Sequence, residues 1–256
     1  AAPSLQVGTD ANYSVRGVGT LAFADTIESS VAFALDEVNL GASVMSSPML
    51  YDIERVEVLS GPQGLLFGKN ASAGLLNVVT AQPRIGELSG QTELEVSTRA
   101  TPGADRSAMS YIGKQIVNVP VTEDSALRIN ALYAHQEPPT SYVGDFQGGL
   151  IPFFGVERKN YTDKRNLQLK AKYLLEADTG VSIYLIGDYN EIKDGVNRFG
   201  STFRELGAGS GATVPLQQAG VTPGTENFLT FADGGMFVEV ETGGAQARIA
   251  YEFPSG

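Results

Sequence analysis

Residues 52–80 read DIERVEVLSGPQGLLFGKNASAGLLNVVT, and this stretch contains the most specific pattern in the chain. Its first part alternates apolar and charged residues, which is typical of a β-strand with two different faces. A turn rich in Gly and Pro follows at 60–64, and the apolar run 75–79 predicts a second strand. We therefore expect strand, tight turn, short helix or loop, glycine turn and strand, in that order.

The composition limits the class of protein. The chain has 256 residues, of which 42% are hydrophobic and 18% charged, so it is long enough for one large or two small folded domains. Its 30 glycines and 12 prolines indicate many turns and hence β structure. The net charge of −11 argues against a nucleic-acid partner, because phosphates attract Lys and Arg.

Other features concern cellular location. The chain has no cysteine, which excludes disulfides and thiolate metal sites. It has no apolar run of about 18 residues, so it is expected to be either soluble or inserted as a β-barrel. It begins Ala1-Ala2-Pro3, without a basic or apolar leader, as expected of a mature form, an engineered start or a fragment.

Residues 52–80 resemble the plug-domain signature of TonB-dependent outer-membrane receptors, an ERVEVLRGPQG motif followed by YG and GGxIN(I/V)VT. About 27 consecutive positions follow that pattern in order. Residues 31–41, VAFALDEVNLG, resemble the family's VAVYVDGVYLG hairpin. Asp36-Glu37 stands where Asp-Gly is usual, so the turn lacks its preferred glycine. Together with a short strand ending near Gly19, these pieces predict a small α+β plug domain within residues 1–85.

Beyond Pro83 the chain changes to longer runs that alternate between an apolar and a polar face. This pattern is expected of barrel strands with lipid outside and water or a plug inside. Six runs are found, at 88–96, 111–121, 127–133, 167–173, 181–190 and 247–253, with Tyr184 and Ile186 interrupting the fifth. Short connections at 121–125 and 176–180 alternate with long ones, like the periplasmic turns and external loops of outer-membrane barrels. Residues 86–256 are thus expected to form the first six strands of a transmembrane antiparallel β-barrel.

Tyrosines on these runs have two interpretations. Tyr133, Tyr173, Tyr189 and Tyr251, with Phe253, are typical of an aromatic girdle at a membrane interface. In a soluble barrel the same residues would belong to the core. The charged faces beside them favour the membrane interpretation.

No catalytic chemistry is predicted. His135 is the only histidine, and no Gly-x-Ser-x-Gly elbow exists to position a nucleophile. No cluster of His and carboxylates has metal-ligand spacing in the sequence. We therefore predict no catalytic residue, no metal and no cofactor, and expect His135 near the outer rim of a strand as a polar or interface residue.

The resemblance implies a transport function. Receptors of this family import scarce nutrients, ferric siderophores and similar metal chelates among them, across the outer membrane of Gram-negative bacteria, with energy from the TonB complex. The loops corresponding to 20–28 and 42–48 are apical in the family and line the ligand cavity. The implied ligand-binding residues are Phe23, Asp25, Glu28, Val44 and Met45. Solvated turns are an equally good interpretation of these segments.

Two arginines are expected to matter for plug attachment. From the residues alone, Arg16 and Arg55 are each expected to be buried and paired with a carboxylate. The family adds that an Arg in an "RG" pair and an Arg before "GP" lock plug to barrel wall. Arg16 matches the first, whereas Ser60 replaces the second. Arg16 and Arg55 are therefore the predicted plug–barrel contacts.

Chain length leaves an alternative open. Receptors of this kind close about 22 strands, and six cannot close around a plug. We therefore expect a fragment of a longer receptor that would not transport by itself. Alternatively, the chain is complete and serves as a receptor-derived structural module, pairing its free strand edges with a neighbouring envelope protein. A soluble β-sandwich hydrolase or binding domain explains neither the signature nor the loop pattern.

Overall fold

A computed structural model of the chain describes residues 30–40, 51–64, 71–100, 107–137, 163–194 and 238–253, with the backbone of 5–7, 13–15, 18–19, 141–142 and 229–230. Every predicted ligand-binding residue, and Arg16, lies outside the residues whose side chains are described. Among the described residues, no helix is long and apolar enough to cross a membrane.

The N-terminal part forms two small sheets. Strands β1 (Leu5–Val7), β2 (Tyr13–Val15) and β3 (Val18–Gly19) make an antiparallel sheet. Strands β4 (Val31–Leu35), β5 (Val38–Asn39), β6 (Ile53–Ser60) and β7 (Gly74–Thr80) form a second sheet in the order β5-β4-β7-β6. In this second sheet β4 and β7 are parallel, and the other pairs are antiparallel. We call it the plug sheet; its strands confirm the hairpin and the two signature strands predicted above.

The core of the plug sheet explains its sequence. Strands β4 and β7 are central and buried along their whole length, so both are predominantly apolar rather than alternating. Large side chains fill one face, namely Val31, Phe33, Leu35, Leu76 and Val78. The other face carries Ala32, Ala34, Ala71 and Leu75. Strand β6 lies at the edge, which is why it alternates.

The rest of the described chain forms one large antiparallel sheet, which we call the wall. Its strands are β8 (Ser89–Arg99), β9 (Ala108–Thr122), β10 (Ser125–Gln136), β12 (Lys164–Glu176), β13 (Val181–Asp194) and β15 (Val238–Tyr251), in the order β15-β13-β12-β10-β9-β8. Two further short strands, β11 (Ser141–Tyr142) and β14 (Leu229–Thr230), form a separate parallel pair. All six predicted wall strands are confirmed, and the sheet is not closed. A domain boundary at residue 85 stays a prediction.

The two faces of the wall differ as the alternation predicts. Ile129, Leu169 and Leu185 are exposed on the outer face. Arg128, Asn130 and Lys172 occupy the opposite face, toward the plug sheet. Tyr184 and Ile186 are buried, and Ile186 lines a crevice beside Leu35 of the plug sheet. They interrupt the alternation because they face protein rather than water.

Candidate functional site: the plug–wall interface

The turn between β4 and β5 points two carboxylates at the wall. Asp36 and Glu37 have φ values of 49° and 71°, the left-handed pair that a two-residue hairpin turn requires. A residue other than glycine adopts this conformation at a cost of about 1–2 kcal/mol. Aspartate tolerates this conformation better than most residues, so the strain falls mainly on Glu37, where glycine would relieve it. The turn thus keeps two acidic residues where glycine is preferred, which indicates that their side chains are needed.

Asp36 is the centre of a buried charge network. Its carboxylate accepts hydrogen bonds from the backbone N of Thr80 at 2.8 Å and from the Thr80 hydroxyl at 2.8 and 2.9 Å. From the wall, Lys170 Nζ donates to Asp36 Oδ2 at 2.9 Å, and Lys172 Nζ lies 3.8 Å from Oδ1. The turn is thus joined both to its own sheet and to β12.

Lys172 is an ammonium group fully removed from solvent. Its side chain has 0% exposure. Lys172 Nζ donates to the Thr80 hydroxyl and, at 3.0 Å, to the carbonyl oxygen of Ala81. An ammonium group is buried at a large desolvation cost unless it is paired and hydrogen-bonded, and both conditions are met by plug residues.

Asp52 makes the second buried contact. Arg128 of β10 donates to it through two nitrogens, Nε to Oδ2 at 2.7 Å and Nη2 to Oδ1 at 2.6 Å. Asn130 Nδ2 adds a bond to Oδ2 at 2.7 Å. The side chains of Arg128 and Asp52 are 11% and 6% exposed. Paired N–H···O bonds of this kind are the strongest arrangement for Arg and carboxylate.

Backbone strain marks this interface. Glu37 forms an ion pair with Arg248 of β15, on the exposed rim. Of all the residues the structure describes, the non-glycine ones with positive φ are Asp36, Glu37 and Asp52, the plug acids that reach the wall. Strained conformations persist where surrounding contacts hold them and are concentrated at functional sites.

Among the described residues, the plug contributes acidic groups to the interface and the wall contributes basic ones, whereas the sequence prediction concerned two plug arginines. Arg55 lies on β6 and pairs with Glu57 at 2.7 Å and with Glu54 at 3.4 Å, both on its own strand. Its predicted carboxylate partner is therefore present, but its side chain is 48% exposed rather than buried. A contact from Arg55 to the wall stays a prediction.

A buried asparagine fastens the segment between the two sheets. The side chain of Asn118 on β9 accepts from Arg84 N at 2.9 Å and donates to Arg84 O at 2.9 Å and Glu87 O at 2.5 Å. One fully buried amide thus satisfies three backbone groups of residues 84–87. The start of β8 is held against β9 in this way.

The plug–wall interface also contains a crevice and a cavity that are lined in part by polar side chains. A crevice is lined by Asp36 and Leu35 of the plug sheet and by Lys170, Asp188 and Gly244 of the wall. Beside it, a smaller cavity is lined by Tyr51, Asn130, Gln168 and Asn190. Asn130 Oδ1, Gln168 Nε2 and both side-chain polar atoms of Asn190 have no hydrogen-bond partner within the described part of the chain. The inner wall thus carries polar groups beyond those that hold the plug sheet.

The network around Asp36 should make stability depend on pH. Burial alone would raise the pKa of this carboxyl, but Lys170, Lys172 and the Thr80 amide together hold the pKa below its usual value of 3.8. A carboxyl group whose pKa is lower in the folded than in the unfolded protein stabilises the folded state fully at pH values above its unfolded pKa. This stabilisation is lost as the pH falls through the folded-state pKa. We expect plug attachment to be constant from pH 7 to about 5 and to weaken below about 4.

The measurement is the rate of amide hydrogen exchange in β4 and β7 of the full-length protein, corrected for the intrinsic pH dependence. Asp36→Asn should remove a distinct part of the acid-induced loss of protection. An identical acid profile in the variant and the parent protein would contradict the assignment.

The geometry indicates a class of protein: a small mixed sheet held by ion pairs on the inner face of an antiparallel wall resembles the plug and part of the barrel of an outer-membrane receptor. Residues 2–75 match the family model for the TonB-dependent receptor plug domain. Residues 2–75 are therefore the plug domain of a TonB-dependent receptor, and the wall resembles part of the barrel of such receptors. The location of the protein is the outer membrane of a Gram-negative bacterium.

Curated relatives are receptors and outer-membrane proteins. The pesticin receptor of Yersinia pestis is 39% identical over 71 residues, 27% of this chain and 10% of that protein. The iron-regulated outer membrane virulence protein of Vibrio cholerae is 26% identical over 137 residues, 53% of this chain and 19% of that protein. The chain thus spans a tenth to a fifth of the length of these relatives.

Solved structures support the fold. A ferric enterobactin receptor mutant from Pseudomonas aeruginosa matches with a TM-score of 0.56 and 14% identity, over 98% of this chain and 35% of the other. A second mutant of that receptor, in complex with enterobactin, gives 0.51 and 16%, over 75% and 30%. At these identities the likeness concerns the plug and partial barrel as a fold.

Proposed function

We propose that this chain is part of a receptor that takes up a ferric siderophore or similar metal chelate across the outer membrane, driven by the TonB complex. The observation that carries the proposal is a recognised plug attached to the wall by separate ion pairs. Because such pairs break one at a time, a pull on the plug can loosen it without dissolving a continuous apolar core. The names of the relatives, an iron-regulated protein and a ferric enterobactin receptor, support an iron chelate.

Ligand and partners follow from this proposal. The chelate would bind Phe23, Asp25, Glu28, Val44 and Met45 at the plug apex, and Arg16 and Arg55 would contribute to plug–barrel attachment. Outer-membrane lipid would cover the exposed apolar face of the wall, including Tyr133 and Leu169. Binding and passage involve no covalent chemistry, so the function is not enzymatic.

The test uses the native gene at its natural length. A deletion strain is grown with single ferric siderophores as the sole iron source, and uptake of radioactive iron is measured with and without the restored gene. We expect uptake of at least one chelate to require both the gene and an intact TonB complex. Unchanged uptake of every chelate after deletion would overturn the proposal.

A second candidate function rests on the wall edges. In the described strands, β8 and β15 are the outermost, and Leu94 and Ile249 on them are 80% and 73% exposed. A receptor-derived module could pair such an edge with a neighbouring envelope protein. In the same experiment, that function predicts altered envelope permeability with normal iron uptake.

A further inference from the structure

The end of β10 and the beginning of β12 bring together three metal-ligating side chains that are far apart in sequence. His135 and Glu137 are two residues apart on an extended chain and therefore point to the same side. Asp163 directly precedes β12 and is 5% exposed. The register places Gln136 opposite Lys164, so Asp163 arrives beside Glu137. This convergence is absent from the linear spacing, which is why no metal site was predicted.

The distances suit a metal ion. One donor atom from each of the three side chains lies within 4.8 Å of the other two, and His135 Nε2 is 3.1 Å from Asp163 Oδ2. Ligand atoms of a tetrahedral ion held at about 2.0–2.1 Å are about 3.3 Å apart, so a small movement of Glu137 would complete the set. Within the described part of the chain, Glu137 Oε2 accepts a long bond from Met109 N, at 3.3 Å, which is weak enough for the carboxylate to turn.

The surroundings hold the donors in place. The backbone N of Glu137 donates to Met109 O at 2.8 Å, which fixes the end of β10 against β9. The Tyr111 ring lies beside His135, with ring centres 5.8 Å apart. Two of the three ligands are therefore positioned by neighbouring strands, as metal sites require.

We propose that His135, Glu137 and Asp163 bind a divalent transition-metal ion such as Zn²⁺. One imidazole nitrogen with two carboxylate oxygens matches zinc and its neighbours, whereas Ca²⁺ and Mg²⁺ prefer oxygen donors alone. Three protein ligands leave a position open for water or another donor. The ion would join the two strands that flank residues 138–162, independently of the uptake function.

A second cluster of carboxylates provides a comparison, because a lysine of the protein already pairs with two of them. Glu191, Glu239 and Glu241 also converge, but Lys193 Nζ lies 2.5 Å from Glu191 and 2.8 Å from Glu239. That group already has a cation from the protein. The His135 group differs because it contains the one imidazole of the chain, a nitrogen donor that suits a transition-metal ion.

The test measures Zn²⁺ binding to the untagged full-length protein, stripped with a chelator and dialysed against increasing Zn²⁺. We expect the parent protein to bind one Zn²⁺ ion at this site. His135→Gln and Glu137→Gln should each lower the affinity for that ion by at least about 100-fold. Glu239→Gln is the matched control and should bind like the parent protein. Co²⁺ in place of Zn²⁺ should give a visible absorption band that both site variants lose.

Glu137→Gln is the decisive variant, because it leaves the His135–Asp163 hydrogen bond untouched. It also keeps the test valid if the His135 variant does not fold. If the three residues form only a hydrogen-bonded cluster, Glu137→Gln will bind Zn²⁺ and Co²⁺ as the parent does. That result, or an equal loss in Glu239→Gln, would overturn the proposal.

Discussion

Asp52→Asn is expected to weaken plug attachment by about 3–5 kcal/mol, the cost of leaving a buried charge without its partner. The uncompensated charge is the Arg128 guanidinium, 11% exposed and doubly bonded to Asp52. Asparagine tolerates the left-handed backbone at this position, so the substitution removes charge without adding strain. Amide hydrogen exchange in β4 and β7 of the full-length protein should show at least about 100-fold lower protection.

Glu54→Gln is the control for this variant. Glu54 is an exposed plug carboxylate that pairs with Arg55 on its own strand, so its loss should leave protection unchanged. Replacing Arg128 with Met in the Asp52→Asn background should restore part of the protection, because the unpaired charge is then gone. Equal protection in the Asp52 and Glu54 variants would show that the buried pair does not hold the plug.

Asp36→Asn is expected to have a second effect of similar size, about 3–5 kcal/mol, because two wall ammonium groups lose their counter-charge together. Lys172 is the more costly of the two, since it is fully buried. Trypsin cleavage at Arg55 or Lys69 of the plug should accelerate at least about 100-fold, in proportion to the population of the loosened plug.

Lys172→Met tests the same network from the wall. It removes the buried charge but leaves the Thr80 hydroxyl and the Ala81 carbonyl without this donor, so its effect should be smaller than that of Asp36→Asn. Asp178→Asn, an exposed aspartate in the β12–β13 turn, is the matched control and should be cleaved like the parent. Similar cleavage of the Asp36 and Asp178 variants would contradict the central role of Asp36.

The sequence predicted the strands well because their periodicity is local. Alternation identified all six wall strands, and apolar runs identified β4 and β7. The sequence also contains an indication of the plug–wall interface, because Asp36-Glu37 occupies a turn that favours glycine. A strained acidic pair in such a turn indicates a partner elsewhere, although it does not say which strand supplies it.

The partners themselves depend on distant pairing. Lys170, Lys172 and Arg128 look like ordinary polar-face residues of alternating strands, and only the sheet register places them opposite the plug acids. The acidic plug residues of the interface were not predicted, for the same reason. The cluster of His135 with Asp163 joins residues on either side of a long connection, so linear spacing does not reveal it.

The cations of the wall have a consequence for the order of assembly. Arg128 of β10 and Lys172 of β12 are direct cross-strand partners, and like charges in that position repel each other. Asp52 and Asp36 neutralise this pair from the plug side. Pairing of strands β10 and β12 is therefore most favourable once the plug is in place. The plug thus acts as a template on which this part of the barrel folds.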